Sequence, residues 1–406
     1  MELMRTCVTV SPYNPTRVRL VGQVTYDDRQ VDPEEYWFDV PEKYADSLST
    51  TGNPWLVCLL PLAMSLGEPL RLSVPIDGVL LENVSELMQL WKYWYPHLRI
   101  IPVEADLLPA EASSTGRKTA AFFSGGVDSF FTLLRRREAN RLAETPPIDE
   151  LLSIWGFDIP LHKRAEFHRM LRKLRDVAAN LQTQLIDIAT NLRETRLGKM
   201  VDWAYIVYGC ALATVGLVLE KRYARLLIPS CWGYKDLRPW GSHPLTDPLL
   251  STSQLRIIYD GAAFDRVQKT EFIANFDLAL RALRVCWKEG SDVNCSACNK
   301  CYRTMATLEI LGVLDRCRSF AEGKFDLTKL ARVYCADDNT GFFFREVQEL
   351  ALRKGRFDVV KAIDSSFRYS RMLNWFLPLV RSLEQARFVW RFKNLLERAL
   401  LARAII

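Results

Sequence analysis

Strand-like stretches come first along the chain. Arg17-Val18-Arg19-Leu20-Val21 alternates charged and apolar positions, and Glu35-Tyr36-Trp37-Phe38-Asp39 is rich in β-formers, so both predict strands. The period then changes. Between Glu82 and Tyr95, Val84, Leu87, Leu90, Trp91 and Trp94 recur at three- and four-residue steps, the pattern of a helix with one apolar face turned to a sheet. Residues 1–112 therefore read as a small α+β domain. From Pro109 to Gly116 turn formers replace large apolar residues, the mark of a linker. Beyond it, Lys118–Phe123 predicts an apolar strand, followed by a glycine turn and a helix beginning near Asp128. Further strands are expected at Leu151–Phe157, Leu185–Ala189 and Ala224–Ser230, the last preceded by an apolar helix from Trp203 to Leu219. Such alternation predicts an α/β domain over residues 118–316, with a parallel sheet and crossover helices. From 317 to 406 the pattern is helical, and no internal repeat is visible.

Composition narrows the class. A length of 406 residues calls for more than one core, and 49% hydrophobic with 25% charged residues is globular composition. The longest apolar run, Trp55 to Leu66, is about twelve residues and contains Pro61, short of the ~20 needed to cross a bilayer. Charges at Glu2 and Arg5 interrupt what a secretory signal would need, so a cytoplasmic protein without membrane attachment is expected. In that compartment ten cysteines point to thiols or metal ligands instead of a disulfide framework. The net charge of +6 is uneven: from Leu352 onward Lys and Arg outnumber Asp and Glu twelve to four. Contact with nucleic acid or an acidic protein surface stays open there, but a solvated helix face is the commoner reading and nucleic acid is not favoured.

The sharpest local signal is Ser124-Gly125-Gly126-Val127-Asp128-Ser129, between an apolar strand and a helix. Glycines let backbone approach an anion, and a helix start offers free N–H groups at the positive end of its dipole. The hydroxyls of Ser124 and Ser129 add candidate donors, so the turn suits pyrophosphate. The bland alternative is an ordinary tight turn. This hexapeptide resembles the SGG-x-D-S signature of the N-type ATP pyrophosphatases, the PP-loop superfamily; no G-x-x-x-x-G-K-[ST] loop is present. The resemblance implies an adenine nucleotide alpha hydrolase-like fold and cleavage of ATP between its α and β phosphates, with Mg²⁺ sharing the charge. Asp128 is the candidate to assist that metal, or else only compensates the helix dipole.

Cys286, Cys295, Cys298 and Cys301 follow C-x8-C-x2-C-x2-C, spacing that can place four thiolates around one tetrahedral ion. Zn²⁺ is the leading candidate, with Lys288, Lys300 and Arg303 offsetting the negative charge; an iron–sulfur cluster or buried free cysteines are the alternatives. The other cysteines, 7, 58, 210, 231, 317 and 335, lack ligand spacing and read as small core residues.

The order of motifs narrows the resemblance. Lys269-Thr-Glu271-Phe-Ile precedes Cys286-Trp287, the cysteine triplet, Tyr302-Arg303 and a helix ending Gly312-Val-Leu-Asp315, which resembles the QueC family of 7-cyano-7-deazaguanine synthases over about residues 118–316. Departures fall at the substrate. Gly241-Ser242-His243-Pro244-Leu245-Thr246-Asp247-Pro248 stands where QueC has tyrosine–proline–aspartate–cysteine–arginine, and Thr190-Asn191-Leu192-Arg193 replaces a glycine–arginine–asparagine turn. The flanking regions resemble those of QueC-like proteins in bacterial anti-phage operons.

Three further residues are candidates for the site. Arg193 can fork onto a carboxylate or phosphate, or is a surface arginine. His243, with Asp247 in a loop after the fourth strand, lies where parallel sheets bind ligands, or only makes a turn. Lys269 reaches the phosphates by resemblance, or is solvated on its helix. The resemblance implies an ATP-dependent ligase that adenylates a heterocyclic carboxylate of the 7-carboxy-7-deazaguanine type and forms an amide or nitrile with ammonia or a protein amine. A protein acceptor or defence-complex partner would dock on the N- and C-terminal regions. The rivals are a tRNA sulfur transferase with an iron–sulfur cluster and a non-catalytic ATP-binding subunit.

Overall fold

The computed structural model describes residues 1–109, 116–141, 145–286, 288–321, 325–335 and 338–382. Most of the expected linker, Trp287 and the last part of the basic C-terminal stretch lie outside the described residues. The chain divides into two compact units, Met1–Ser124 with Phe131–Phe264, and Gly125–Phe130 with Asp265–Ile406.

The first unit is α/β, built on one ten-stranded sheet. The strands β1 (Glu2–Val10), β2 (Arg17–Thr25) and β3 (Glu34–Pro41) form an antiparallel meander. After α1 (Asn53–Leu66), the short β4 (Leu70–Leu72), α2 (Gly78–Trp94) and the short β5 (Val103–Glu104), the chain enters β6 (Lys118–Phe122) and α3 (Val127–Arg141). Then follow β7 (Glu150–Trp155), α4 (Arg164–Asn180), β8 (Gln184–Thr190), α5 (Arg196–Met200), α6 (Tyr208–Val218), β9 (Tyr223–Pro229) and β10 (Arg256–Asp260). The sheet order is β10-β9-β6-β7-β8-β3-β2-β1-β4-β5. The run from β10 to β8 is wholly parallel, as the strand–helix alternation predicts. Its order reverses beside β6, a topological switch point of the kind where open parallel sheets bind ligands. The glycine turn follows that strand.

The N-terminal strands join the same sheet. β3 pairs with β8 at Phe38 opposite Thr190 and Asp39 opposite Ala189. Arg17 clips this short seam: it forms ion pairs with Asp39 and, at 2.7 Å, with Asp187, and donates to the carbonyls of Asp39 (2.9 Å) and Asp187 (3.0 Å). The apolar run from Trp55 is α1, buried on almost every side and packed against α6. Trp55 meets Phe38 edge-on at 5.9 Å, and Gly22 makes room for it, since a Cβ there would lie 2.5 Å from the indole. The helix expected from Trp203 opens with a π turn, Trp203–Val207, capped by Asp202. At the start of the parallel strands Glu150, fully buried, is held by Lys118 at 2.5 Å, Arg222 at 2.6 Å and Tyr223 at 2.8 Å.

The second unit is helical among its described residues, with α7 (Arg266–Ile273), α8 (Asp277–Ala282), α9 (Asn299–Ile310), α10 (Leu327–Leu330), α11 (Asp338–Arg353) and α12 (Phe357–Ser382). α11 packs against α7, α9 and α12 through residues such as Phe344, Val347 and Leu350. Among the described residues of the chain no helix is long and apolar enough to cross a membrane.

Candidate functional site

The turn after β6 takes the conformation its glycines permit. Gly125 has φ +76°, the left-handed region that favours glycine. Its carbonyl accepts from the Arg284 N–H at 2.8 Å. Val127 is buried and Ser124 is exposed. The Ser129 hydroxyl, expected to face phosphate, instead donates to the Gly126 carbonyl at 3.0 Å, so it closes the turn. A short polar side chain near a helix start commonly satisfies local backbone in this way.

Cations surround this turn's one carboxylate. A capping box formed by Asp265 and Gln268 fixes the start of α7, and Arg266 and Lys269, three residues apart, then share a helix face. Both reach Asp128: Arg266 at 2.6 Å and Lys269 at 3.3 Å. Lys269 is only 1% exposed. Arg303 on α9 adds a third charge. Its guanidinium and that of Arg266 lie 4.2 and 5.2 Å from the centre of the Phe343 ring. Burial works against the Asp128 carboxylate, but Arg266, then Lys269 and Arg303, outweigh it and hold its pKa below the usual range. Burial and the neighbouring Arg266 push Arg303 down to about 9, and among the described residues the Nε groups of Arg266 and Arg303 have no hydrogen-bond partner. Counting Glu346, which also acts on Arg303, three cations face two carboxylates. Such a surplus is what a polyanion relieves.

Magnesium fits this donor set poorly. The Asp128 carboxylate has both oxygens engaged by cations, and its observed work is to hold Arg266 and Lys269, in place of the metal-assisting role expected of it. The solvated reading of Lys269 is likewise excluded by its burial.

The four cysteines do come together. The sulfurs of Cys286, Cys295, Cys298 and Cys301 all lie within 4.8 Å of one another, with Cys286 to Cys298 at 3.9 Å and Cys295 to Cys301 at 3.7 Å. Thiolates about 2.3 Å from one tetrahedral ion would stand about 3.8 Å apart. The set therefore fits a single metal ion such as zinc, and is too tight for a cluster whose thiolates sit on different irons. The loop is shaped for this. Ser296 takes φ +53° and its hydroxyl accepts from the Ala321 N–H at 3.0 Å, while the Cys298 N–H donates to the Cys295 sulfur at 3.2 Å. Hydrogen bonds from Cys298 and Cys301 hold the Cys286 thiol far below its ordinary pKa.

Asn294 was invisible to spacing arguments, yet it joins both arms of the cysteine loop. Its side-chain oxygen accepts from the N–H groups of Val285 (2.9 Å) and Cys286 (3.1 Å), and its amide donates to the Leu283 carbonyl (2.9 Å). Of the remaining cysteines, 58, 210, 317 and 335 are buried as expected, whereas Cys7 is exposed and Cys231 half-buried.

His243 and Arg193 belong to the first unit. His243 is 3% exposed, and its Nδ1 accepts from the Leu245 N–H at 3.1 Å while its ring meets Trp94 edge-on at 4.9 Å. Asp247 accepts from Ser242 (2.6 Å), the His243 N–H (3.0 Å) and Thr246 (3.3 Å). Burial pushes His243 down to about 4 and Asp247 up to about 7. This pair builds a buried turn, the structural alternative for His243. Arg193 is exposed, with its guanidinium 4.5 Å from the Trp203 ring centre, a cation–π contact. No protein-family model matches the chain, no curated protein matches it, and no solved structure matches it.

Proposed function

We propose that the protein is a PP-loop enzyme that uses ATP to activate a carboxylate. The observation that supports this best is the convergence of Arg266, Lys269 and Arg303 on Asp128 at the head of α3, directly after a left-handed glycine turn. A polyphosphate bound there would meet helix N–H groups and preorganised cations, whose value is greatest for charge that develops as pyrophosphate departs.

In this reading a carboxylate oxygen attacks the α phosphorus of ATP and pyrophosphate leaves, giving a mixed anhydride with AMP. An amine then attacks the carbonyl carbon, loses a proton and expels AMP, so an amide forms. Lys269 and Arg266 balance the leaving pyrophosphate, and Asp128 positions both. Magnesium, if required, is carried by the nucleotide's own phosphates. Zinc in the cysteine site would brace the start of α9, and with it Arg303, without touching the reaction. The QueC-like substrate, a heterocyclic carboxylate of the 7-carboxy-7-deazaguanine type, the choice of ammonia or a protein amine, and a role in anti-phage defence rest on the motif resemblance alone.

The tight sulfur spacing favours this reading over the sulfur transferase with an iron–sulfur cluster. Incubation with ATP, that carboxylate and candidate amines should release AMP and pyrophosphate. A protein that binds ATP but forms no AMP with any pair would be a nucleotide-binding subunit instead.

A further inference from the structure

A cavity of about 770 Å³ opens in the first unit, where β2 and β3 meet β8 and α4. Its size lies within the range of about 300–1,000 Å³ usual for small-molecule sites. None of its lining residues belongs to the glycine turn or to the cationic cluster around Asp128.

Its two buried carboxylates are already committed, and a third, Glu194, is exposed to solvent. Asp39 accepts from Ser11, Arg17 and Arg19, and Asp187 accepts from Arg17 and Arg175, each at 2.7 Å. Arg17 is fully engaged in return, but not every arginine of the cavity is. Arg19 spends its Nε on Asp39 at 3.0 Å, and among the described residues its two terminal nitrogens have no hydrogen-bond partner. Its guanidinium lies 3.8 Å from the centre of the Trp37 ring, which fixes it in place. Arg164, exposed at the rim, gives among the described residues only its Nε, to His168 at 3.3 Å. Burial and the neighbouring Arg164 lower the His168 pKa.

The walls are flat and aromatic. Trp155 stacks on Phe167 with ring centres 5.3 Å apart and planes 11° from parallel, and both line the cavity with Trp37. Planar walls select planar ligands, and forked donors next to spent carboxylates select an anion.

We propose that this cavity binds a small planar aromatic anion, a ring bearing a carboxylate or a phosphate, held through Arg19 and Arg164 against the tryptophan walls. The assignment does not rest on the adenylation reading.

Calorimetry and tryptophan fluorescence of the full chain, titrated separately with 2-naphthoate and with guanosine monophosphate, test it. Saturable binding of at least one probe is expected, weakened about tenfold by Arg164→Gln, the loss of a charge-assisted hydrogen bond. Arg19→Gln should weaken it at least as much, with circular dichroism checking the fold. Lys269→Ala, outside the cavity, should leave it unchanged. Binding of naphthoate alone assigns a carboxylate, and binding of the monophosphate alone assigns a phosphate. Failure of both probes to saturate overturns the proposal, as does binding that Arg164→Gln and a folded Arg19→Gln leave intact, or that Lys269→Ala abolishes.

Discussion

Lys269 Nζ lies 3.3 Å from Asp128 Oδ1, with the lysine side chain 1% exposed and the aspartate at the first turn of α3. A buried ammonium requires a counter-charge, and Asp128 is shared between it and Arg266. Asp128→Asn should therefore leave the cations uncompensated and cost about 3 kcal/mol in urea unfolding. The pKa of Asp128 is lowered in the fold, so its stabilisation is present above the ordinary carboxylate value of about 3.9 and lost as pH falls below it. The variant should lose that part of the acid dependence. Unchanged stability with an unchanged acid limb would show that the pair contributes nothing.

Lys269→Ala should lower ATP–pyrophosphate exchange by about 100-fold or more, the usual cost of removing one preorganised donor to developing charge. Lys269→Arg, which keeps the charge, should recover part of it, because Lys and Arg are not interchangeable at a packed site. Exchange at the parental rate in a folded Lys269→Ala protein would rule out this placement of the phosphates.

Purified protein should carry one zinc per chain by elemental analysis and be colourless. Cys298→Ser should lose the ion and lower the melting temperature. Asn294→Ala removes the acceptor shared by Val285 and Cys286, and such outer-shell partners typically change metal affinity 10–100-fold. Iron in the purified protein, or zinc retained at full affinity by Asn294→Ala, would contradict the assignment.

His243 and Asp247 should show opposite pH effects. The raised pKa of Asp247, about 7, gives stability that is fully present below about 3.9 and lost as pH rises through 7. The lowered pKa of His243, about 4, gives stability present above about 6.5 and lost as pH falls through 4. In the parent the two oppose each other over the same window. Asp247→Asn should expose the histidine effect, with stability rising from pH 4 to 6.5, and His243→Gln should show the reverse slope. Thermal melts across that window distinguish them, and parallel slopes in the two variants would refute the pairing.

Local pattern determined much of this protein. The period-two and period-3.6 signals located β2, β3, α2 and the parallel strands β6 to β9, because each depends only on which face of a short element is apolar, whereas the parallel strand β10 went unmarked. The short β4 and β5 and the largely exposed β1 carried too few buried positions to register. Cysteine spacing was equally legible, since ligands three residues apart must share one turn whatever the rest of the chain does. The sequence also marked the glycine turn, whose left-handed residue needs glycine for steric reasons alone. Tertiary structure decided the remainder. Only folding shows that Arg266 and Lys269, more than 130 positions from Asp128, close on its carboxylate. Only folding shows that Ser129 turns inward and His243 is spent on a turn, and that Arg17 ties β2 to β8. The reason is common to all of these: charge and burial are properties of the neighbours a side chain acquires in space, and those neighbours are distant in sequence.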